Sequence, residues 1–151
     1  VPGKNEFKHV AFTVKQSSTF NFNYPLAEDD IMAGKFCINL TCSTDNTDRA
    51  TVAFVVANAA VASDKDTMVF LSIEGVRLSQ KGVADTIHEE GFAPLKDLMS
   101  SFVEAGGKIF VCSPCFKKRK LDENHLVDGA LIVGGAKLVE FMGEACPSVS
   151  Y

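Results

Sequence analysis

Lys108–Lys120 reads KIFVCSPCFKKRK, and this stretch decides the fold. Ile109, Phe110 and Val111 form a short apolar run that predicts a buried strand. The run ends at Cys112. Cys115 follows, then the basic run Lys117, Lys118, Arg119 and Lys120. Pro114 suits the first turn of a helix starting there. A thiol between a strand and the mouth of a helix points to an α/β protein, whose functional crevice lies beyond the carboxyl ends of its strands.

Working outward, the same alternation recurs. Phe36–Thr41 predicts a first core strand, followed by the polar loop Cys42–Asp48, rich in helix-capping residues. A helix is predicted from Arg49 to Ala62, with Val52, Val55, Val56, Ala59 and Ala60 on its apolar face. Thr67–Leu71 is a continuous apolar run, as in a strand covered on both faces. Lys81–Phe92 reads as a long loop containing Gly82 and Gly91, and Pro94 opens a helix that Gly106 and Gly107 stop. Beyond the central stretch, Asp122 caps a short turn. Ala130–Val133 is a fourth strand and Ala136–Met142 a last helix. This order predicts a mostly parallel sheet of about four to five strands with helices on both faces.

Residues 1–35 read as an N-terminal extension, an edge strand or a subunit-contact segment, residues 36–142 as the α/β domain, and residues 143–151 as a loose tail.

Composition narrows the function classes. A chain of 151 residues can bury a single core. The net charge of −4 argues against direct nucleic-acid binding, which needs an excess of cations. No apolar run is long enough to span a membrane. No leader pattern opens the chain, which starts at Val1. Five cysteines at irregular spacing do not read as a disulfide framework, so a reducing, cytoplasmic setting is expected. Cys112 and Cys115 supply half of a zinc site. Cys37 and Cys42, five apart in a strand, face opposite ways and cannot complete it. No phosphate-binding glycine pattern is present, so no cofactor is expected.

Three groups fall at strand ends on one side of the sheet: Cys42, Glu74 and Cys112. Cys112 is the expected nucleophile, because unpaired N–H groups at a helix start lower a thiol pKa, and Arg119 adds to this if it folds back. A Cys112 pKa at or above that of free cysteine, in an unreactive thiol, counts against any thiol chemistry. Cys115, one helical turn on, makes a redox pair possible. Glu74 reads more simply as a loop acid, with proton acceptance as the alternative, and His88 as a solvated loop residue, with a base or a partner contact as the alternatives. The basic run reads as a solvated helix face, with attraction of anions or of an acidic partner as its alternative.

Three segments carry a family resemblance: TDRATVAFVVANAA (47–60), DTMVFLSIEGVRLSQKG (66–82) and, most specifically, GGKIFVCSPCFKKRKLDENHLVDGALIVGGAKLVEF (106–141). The last combines a cysteine at a strand end, a second cysteine three residues on, a basic residue seven on, and an L-x-D-G-A run leading into a strand. Over residues 36–142 the chain resembles the DsrE/DsrF-like family, in the small stand-alone branch described as predicted peroxiredoxins. Nothing resembles the usual peroxidase cysteine motif. The resemblance implies a flavodoxin-like or Rossmann-like three-layer sandwich and a homo-oligomer, trimeric or hexameric. It implies a sulfur-relay role in which Cys112 takes the sulfur-carrying position and Arg119 the basic one. Cys115 matches a cysteine of some branches only. The expected function is a sulfur carrier holding a persulfide on Cys112, with donor and acceptor proteins unnamed. The alternatives are a thiol–disulfide protein using Cys112 with Cys115 or Cys42, and a non-catalytic structural or regulatory oligomer.

Overall fold

The structure, a computed structural model, describes residues 34–143 and 145–151. The edge-strand reading of the N-terminal extension therefore lies outside the described residues, except that Gly34 and Lys35 lead into the first strand. Five parallel strands form one sheet: β1 (Lys35–Leu40), β2 (Asp66–Leu71), β3 (Lys108–Cys112), β4 (Ala130–Val133) and β5 (Ser148–Ser150), in the order β4-β3-β2-β1-β5. Register aligns Leu40, Leu71 and Val111 across β1, β2 and β3, so these strands end together. Four α-helices connect them: α1 (Thr47–Ala62), α2 (Leu95–Glu104), α3 (Ser113–Lys118) and α4 (Gly135–Met142).

The sheet has two unequal faces. Ile38, Leu40, Val69, Leu71, Ile109 and Val111 point to one, where α1, α2 and Phe116 of α3 cover them. Cys37, Met68, Phe70 and Phe110 point to the other, against Phe141 of α4. The period-2 alternation of the strands produces this split. It also separates Cys37 from Cys42, as expected. The chain reaches β4 with its helices on the first face, then returns under the sheet through α4 to add β5 beside β1. Opposite travel places the crossover on the opposite face when connections keep one hand.

Helix α1 buries a different stripe from the expected one. Ala50, Thr51, Ala53, Phe54 and Ala57 face the sheet, while Val52, Val55, Val56 and Ala60 are half-buried and Ala59 is exposed. The alanines let the helix approach closely and Phe54 fills the remaining space. Close packing of small residues outweighs the larger apolar area of the valines. Phe54 meets Phe102 of α2 edge to face, with centroids 5.9 Å apart. Asn58 Nδ2 donates to Phe54 O and, at 2.9 Å, to Leu98 O, joining the two helices.

The segment 143–151, expected to be loose, supplies β5. Cys37 N–H donates to Pro147 O, Tyr151 N–H to Asn39 O, and Thr41 N–H to Tyr151 O. The free edge of β1 offers these backbone partners, and a three-residue strand is too short to show a period in sequence.

Candidate functional site

Cys112 closes β3 and is the N-cap residue of α3, as the sequence predicts. It is half-buried, and its side chain touches the apolar clusters on both faces, because it sits where the sheet ends. Cys115 lies one turn on, also half-buried, and it acts on the Cys112 thiol, its backbone N–H favouring the thiolate and its own thiol opposing it.

Arg119 does fold back. It ends α3 and is the one cation of the run Lys117–Lys120 that is not exposed to solvent. Its Nη1 donates to Cys115 O at 3.2 Å. Its Nε and Nη2 both donate to Glu74 Oε1, at 2.9 and 2.6 Å. It also interacts electrostatically with the Cys115 thiol. Glu74 is therefore more than a loop acid. Its second oxygen accepts from Arg77 Nε at 2.6 Å, so one carboxylate joins two guanidinium groups. The paired cations hold the Glu74 carboxyl down at about 2, Arg119 contributing most.

A tight turn after β2 aims Glu74. The 3₁₀ segment Ile73–Ser79 starts directly behind the strand. Ser72 N–H donates to Leu40 O and Gly75 N–H to Thr41 O, both at 3.0 Å. Gly75 lies so close to β1 that a Cβ would sit 2.3 Å from Leu40 O. The turn forces Ile73 to φ +52, a conformation that β-branched residues rarely adopt, and leaves its side chain 52% exposed. Backbone held this way is stored where neighbouring contacts over-determine it, commonly beside functional groups.

The electrostatics overturn one expectation. Burial pushes the Cys112 thiol above its ordinary value, against the lowering effects of the Cys115 N–H and of Arg119. Helix α3 has only six residues, which limits the dipole acting on the thiol. The guanidinium is already committed to Glu74. The resting thiol is thus protonated at neutral pH. That counts against an activated resting nucleophile, although Cys112 as a residue keeps partial exposure.

The other sequence candidates fall outside this group. Cys42 is 5% exposed just beyond β1, and β2 lies between it and Cys112. Two strand spacings put them about 10 Å apart, too far for a disulfide without backbone movement. Burial also raises the Cys42 thiol. His88 is exposed and closes its own loop, Nε2 lying 3.0 Å from Phe92 O. Among the described residues, no group of three His, Cys, Asp or Glu could hold a metal ion. A groove of about 460 Å³ lies elsewhere, between α2 and the loops around Gly82 and Asp128. Four of its charged side chains are paired among themselves, Lys96 with Asp85 at 3.1 Å and Lys81 with Asp128 at 3.8 Å.

Two members of the site escaped the sequence reading. Arg77 could have been found from its spacing to Glu74, since i and i+3 meet on one side of a helical turn. The strained Ile73 carries no sequence signal, because isoleucine does not announce a left-handed backbone.

The family model for the DsrE/DsrF-like family matches residues 34–147. The chain belongs to the DsrE/DsrF-like family. Its relatives include the uncharacterized protein MJ0760 of Methanocaldococcus jannaschii, 29% identical over 109 residues, and the uncharacterized protein MJ0989 of the same organism, 26% identical over 117 residues. The matches cover 72% and 78% of this chain, and 39% and 99% of those proteins. The match therefore spans well under half the length of MJ0760. Among solved structures, the YchN protein of E. coli superposes with a TM-score of 0.67 at 18% identity, over 78% of this chain and 99% of that one. MTH1491 of Methanobacterium thermoautotrophicum, a protein of unknown function, gives 0.59 at 14% identity, over 78% and 100%. These likenesses establish the fold. No helix among the described residues is long and apolar enough to cross a membrane.

Proposed function

We propose that this DsrE/DsrF-like protein handles sulfane sulfur and that Cys112 carries it as a persulfide. The observation that carries the reading is the meeting of Cys112, Cys115, Arg119 and Glu74 at one end of the sheet. In the loading step the Cys112 thiolate attacks the outer sulfur of a donor persulfide. A Cys112–S–SH forms and the donor leaves as its thiolate. An acceptor thiolate then takes the same sulfur and returns Cys112 to the thiolate. Because the resting thiol is protonated, its proton must leave as the donor docks, and Arg119, committed to Glu74, favours the thiolate only weakly. Thiol exchange of this kind needs an accessible sulfur and no large substrate pocket.

The test is mass spectrometry after incubation with glutathione persulfide. A gain of about 32 Da, one sulfur, on the Cys112 peptide is expected in Cys115→Ser, where no second thiol can act on it, and its loss when Cys112→Ser is added. A Cys112 that stays unmodified and unreactive sinks the reading. A second reading, thiol–disulfide exchange by Cys112 and Cys115, is favoured by their places one helical turn apart at the start of α3. A Cys112–Cys115 disulfide formed against a cytosol-like glutathione buffer, with no sulfur donor present, supports it.

The reading includes a homo-oligomer in a reducing, cytoplasmic setting. All five cysteines are free thiols. Only the eight-residue α4 covers the second sheet face among the described residues, and Leu131 and Val139 are 56% and 71% exposed. Sedimentation of the full chain checks this, with a monomer at micromolar concentration as the contrary result.

A further inference from the structure

We infer that Cys115 resolves the persulfide on Cys112, so that the site releases sulfur as free sulfide and closes a Cys112–Cys115 disulfide. The inference rests on the persulfide reading of Cys112 and assigns its reductive half. A persulfide has two sulfurs, and its fate depends on which one the next thiolate attacks. Attack on the outer sulfur passes the sulfane sulfur on. Attack on the inner sulfur, the original Cys112 Sγ, expels hydrosulfide: Cys112–S–SH plus Cys115–S⁻ gives Cys112–S–S–Cys115 plus HS⁻. Two cysteine sulfurs are oxidised to a disulfide while the sulfane sulfur is reduced to sulfide, and atoms and charge balance.

The geometry favours the inner sulfur. Cys115 stands on the first turn of α3, one turn from Cys112, and its thiol interacts with that of Cys112, which is held at the sheet end by apolar contacts on both faces. An added sulfur extends one bond beyond Cys112 Sγ, whereas Cys115 keeps its place on α3. Cys112 caps α3 and Cys115 is its third residue, so one turn separates the two side chains and a small adjustment reaches disulfide distance. Attack within one turn is unimolecular, so it competes well with an external thiol. Hydrosulfide is also a better leaving group than an alkyl thiolate, since exchange is faster as the leaving thiol becomes more acidic.

Arg119 serves the same step. Its guanidinium interacts electrostatically with the Cys115 thiol and donates to the Cys115 carbonyl, which fixes the helical turn bearing the attacker. No other cysteine is placed to substitute. Cys37 is wholly buried on the α4 side, Cys42 lies across β2, and Cys146 sits beside β1 at the far side of the sheet. The disulfide must then be reopened by a dithiol reductant. The reaction that consumes the product is therefore one that takes free sulfide rather than protein-bound sulfane sulfur.

The experiment is anaerobic and single-turnover: full chain, Cys115→Ser and Cys112→Ser, each reduced, desalted and exposed to glutathione persulfide. Sulfide is read against the Cys112→Ser background, and peptides are mapped by mass. Wild type is expected to release about one equivalent of sulfide and to lose about 2 Da across the Cys112–Cys115 peptide. Cys115→Ser is expected to release at least tenfold less and to hold a gain of about 32 Da on Cys112. Wild type that keeps the added sulfur on Cys112 or moves it to Cys115, without sulfide or disulfide, overturns the inference and leaves the carrier reading standing. Absence of the added sulfur in Cys115→Ser overturns both.

Discussion

Gly75→Ala tests whether the turn after β2 sets up the thiol site. The added Cβ would stand 2.3 Å from Leu40 O and 3.0 Å from the Leu40 carbonyl carbon, where ordinary contact begins near 3.4 Å. Both obstructing atoms are backbone in a central strand, so neither can swing away. The turn must retreat by about 1 Å, and overpacking of this kind costs about 1–3 kcal/mol. For a domain of this size that lowers Tm by roughly 3–12 °C. The retreat also stretches the Gly75 N–H bond to Thr41 O and draws Glu74 away from Arg119. Circular dichroism melting measures the first effect, and the iodoacetamide alkylation rate of Cys112 measures the second. Gly135→Ala is the control. Its Cβ meets nothing within 4 Å and alanine suits a helix, so Tm should hold or rise. A Gly75→Ala protein that melts within a degree of wild type, with unchanged Cys112 alkylation, would refute the coupling of turn to site.

Three further outcomes follow from the same contacts. Alkylation of Cys112 should have its pH midpoint above that of free cysteine, and Arg119→Met should move it higher still, since removal of a cation favours the neutral thiol; a downward move contradicts the assignment. Glu74 has a folded pKa of about 2 against an ordinary 4.5, so its stabilising effect is complete above the ordinary value and disappears as pH falls through 2. Urea unfolding should therefore show Glu74→Gln less stable than wild type at pH 7, with the gap closing in acid, and a pH-independent gap removes the ion-pair explanation. Thr51 Oγ1 is buried without a hydrogen-bond partner, so Thr51→Val should stabilise by about 1 kcal/mol in the same assay, and destabilisation would mean that the hydroxyl has a partner.

Much of the fold was legible because burial imposes periods on the sequence. The apolar runs of β2 and β3 match their strands almost residue for residue, since strands covered on both faces leave little choice of residue type, and the run of β4 is apolar even though Leu131 is exposed at the sheet edge. The buried stripe of α1 was misread because alternating Ala and Val offer two apolar faces, and only the closeness of the sheet selects the smaller side chains. Strand β5 was unreadable because its stability comes from the vacant edge of β1 rather than from its own residues.

The sequence by itself determined the parallel α/β class, the place of Cys112 at the end of β3, the start of a helix there, and Cys115 one turn along it. These depend on local periods and fixed spacings. Only the tertiary structure decided that Glu74, 45 positions before Arg119, would pair with it, that Cys42 would stand off across β2, and that burial would prevail over the helix start at the Cys112 thiol. Strand order, turn direction and desolvation settle those outcomes. Each depends on residues distant in the chain, so no window around Lys108–Lys120 contains them.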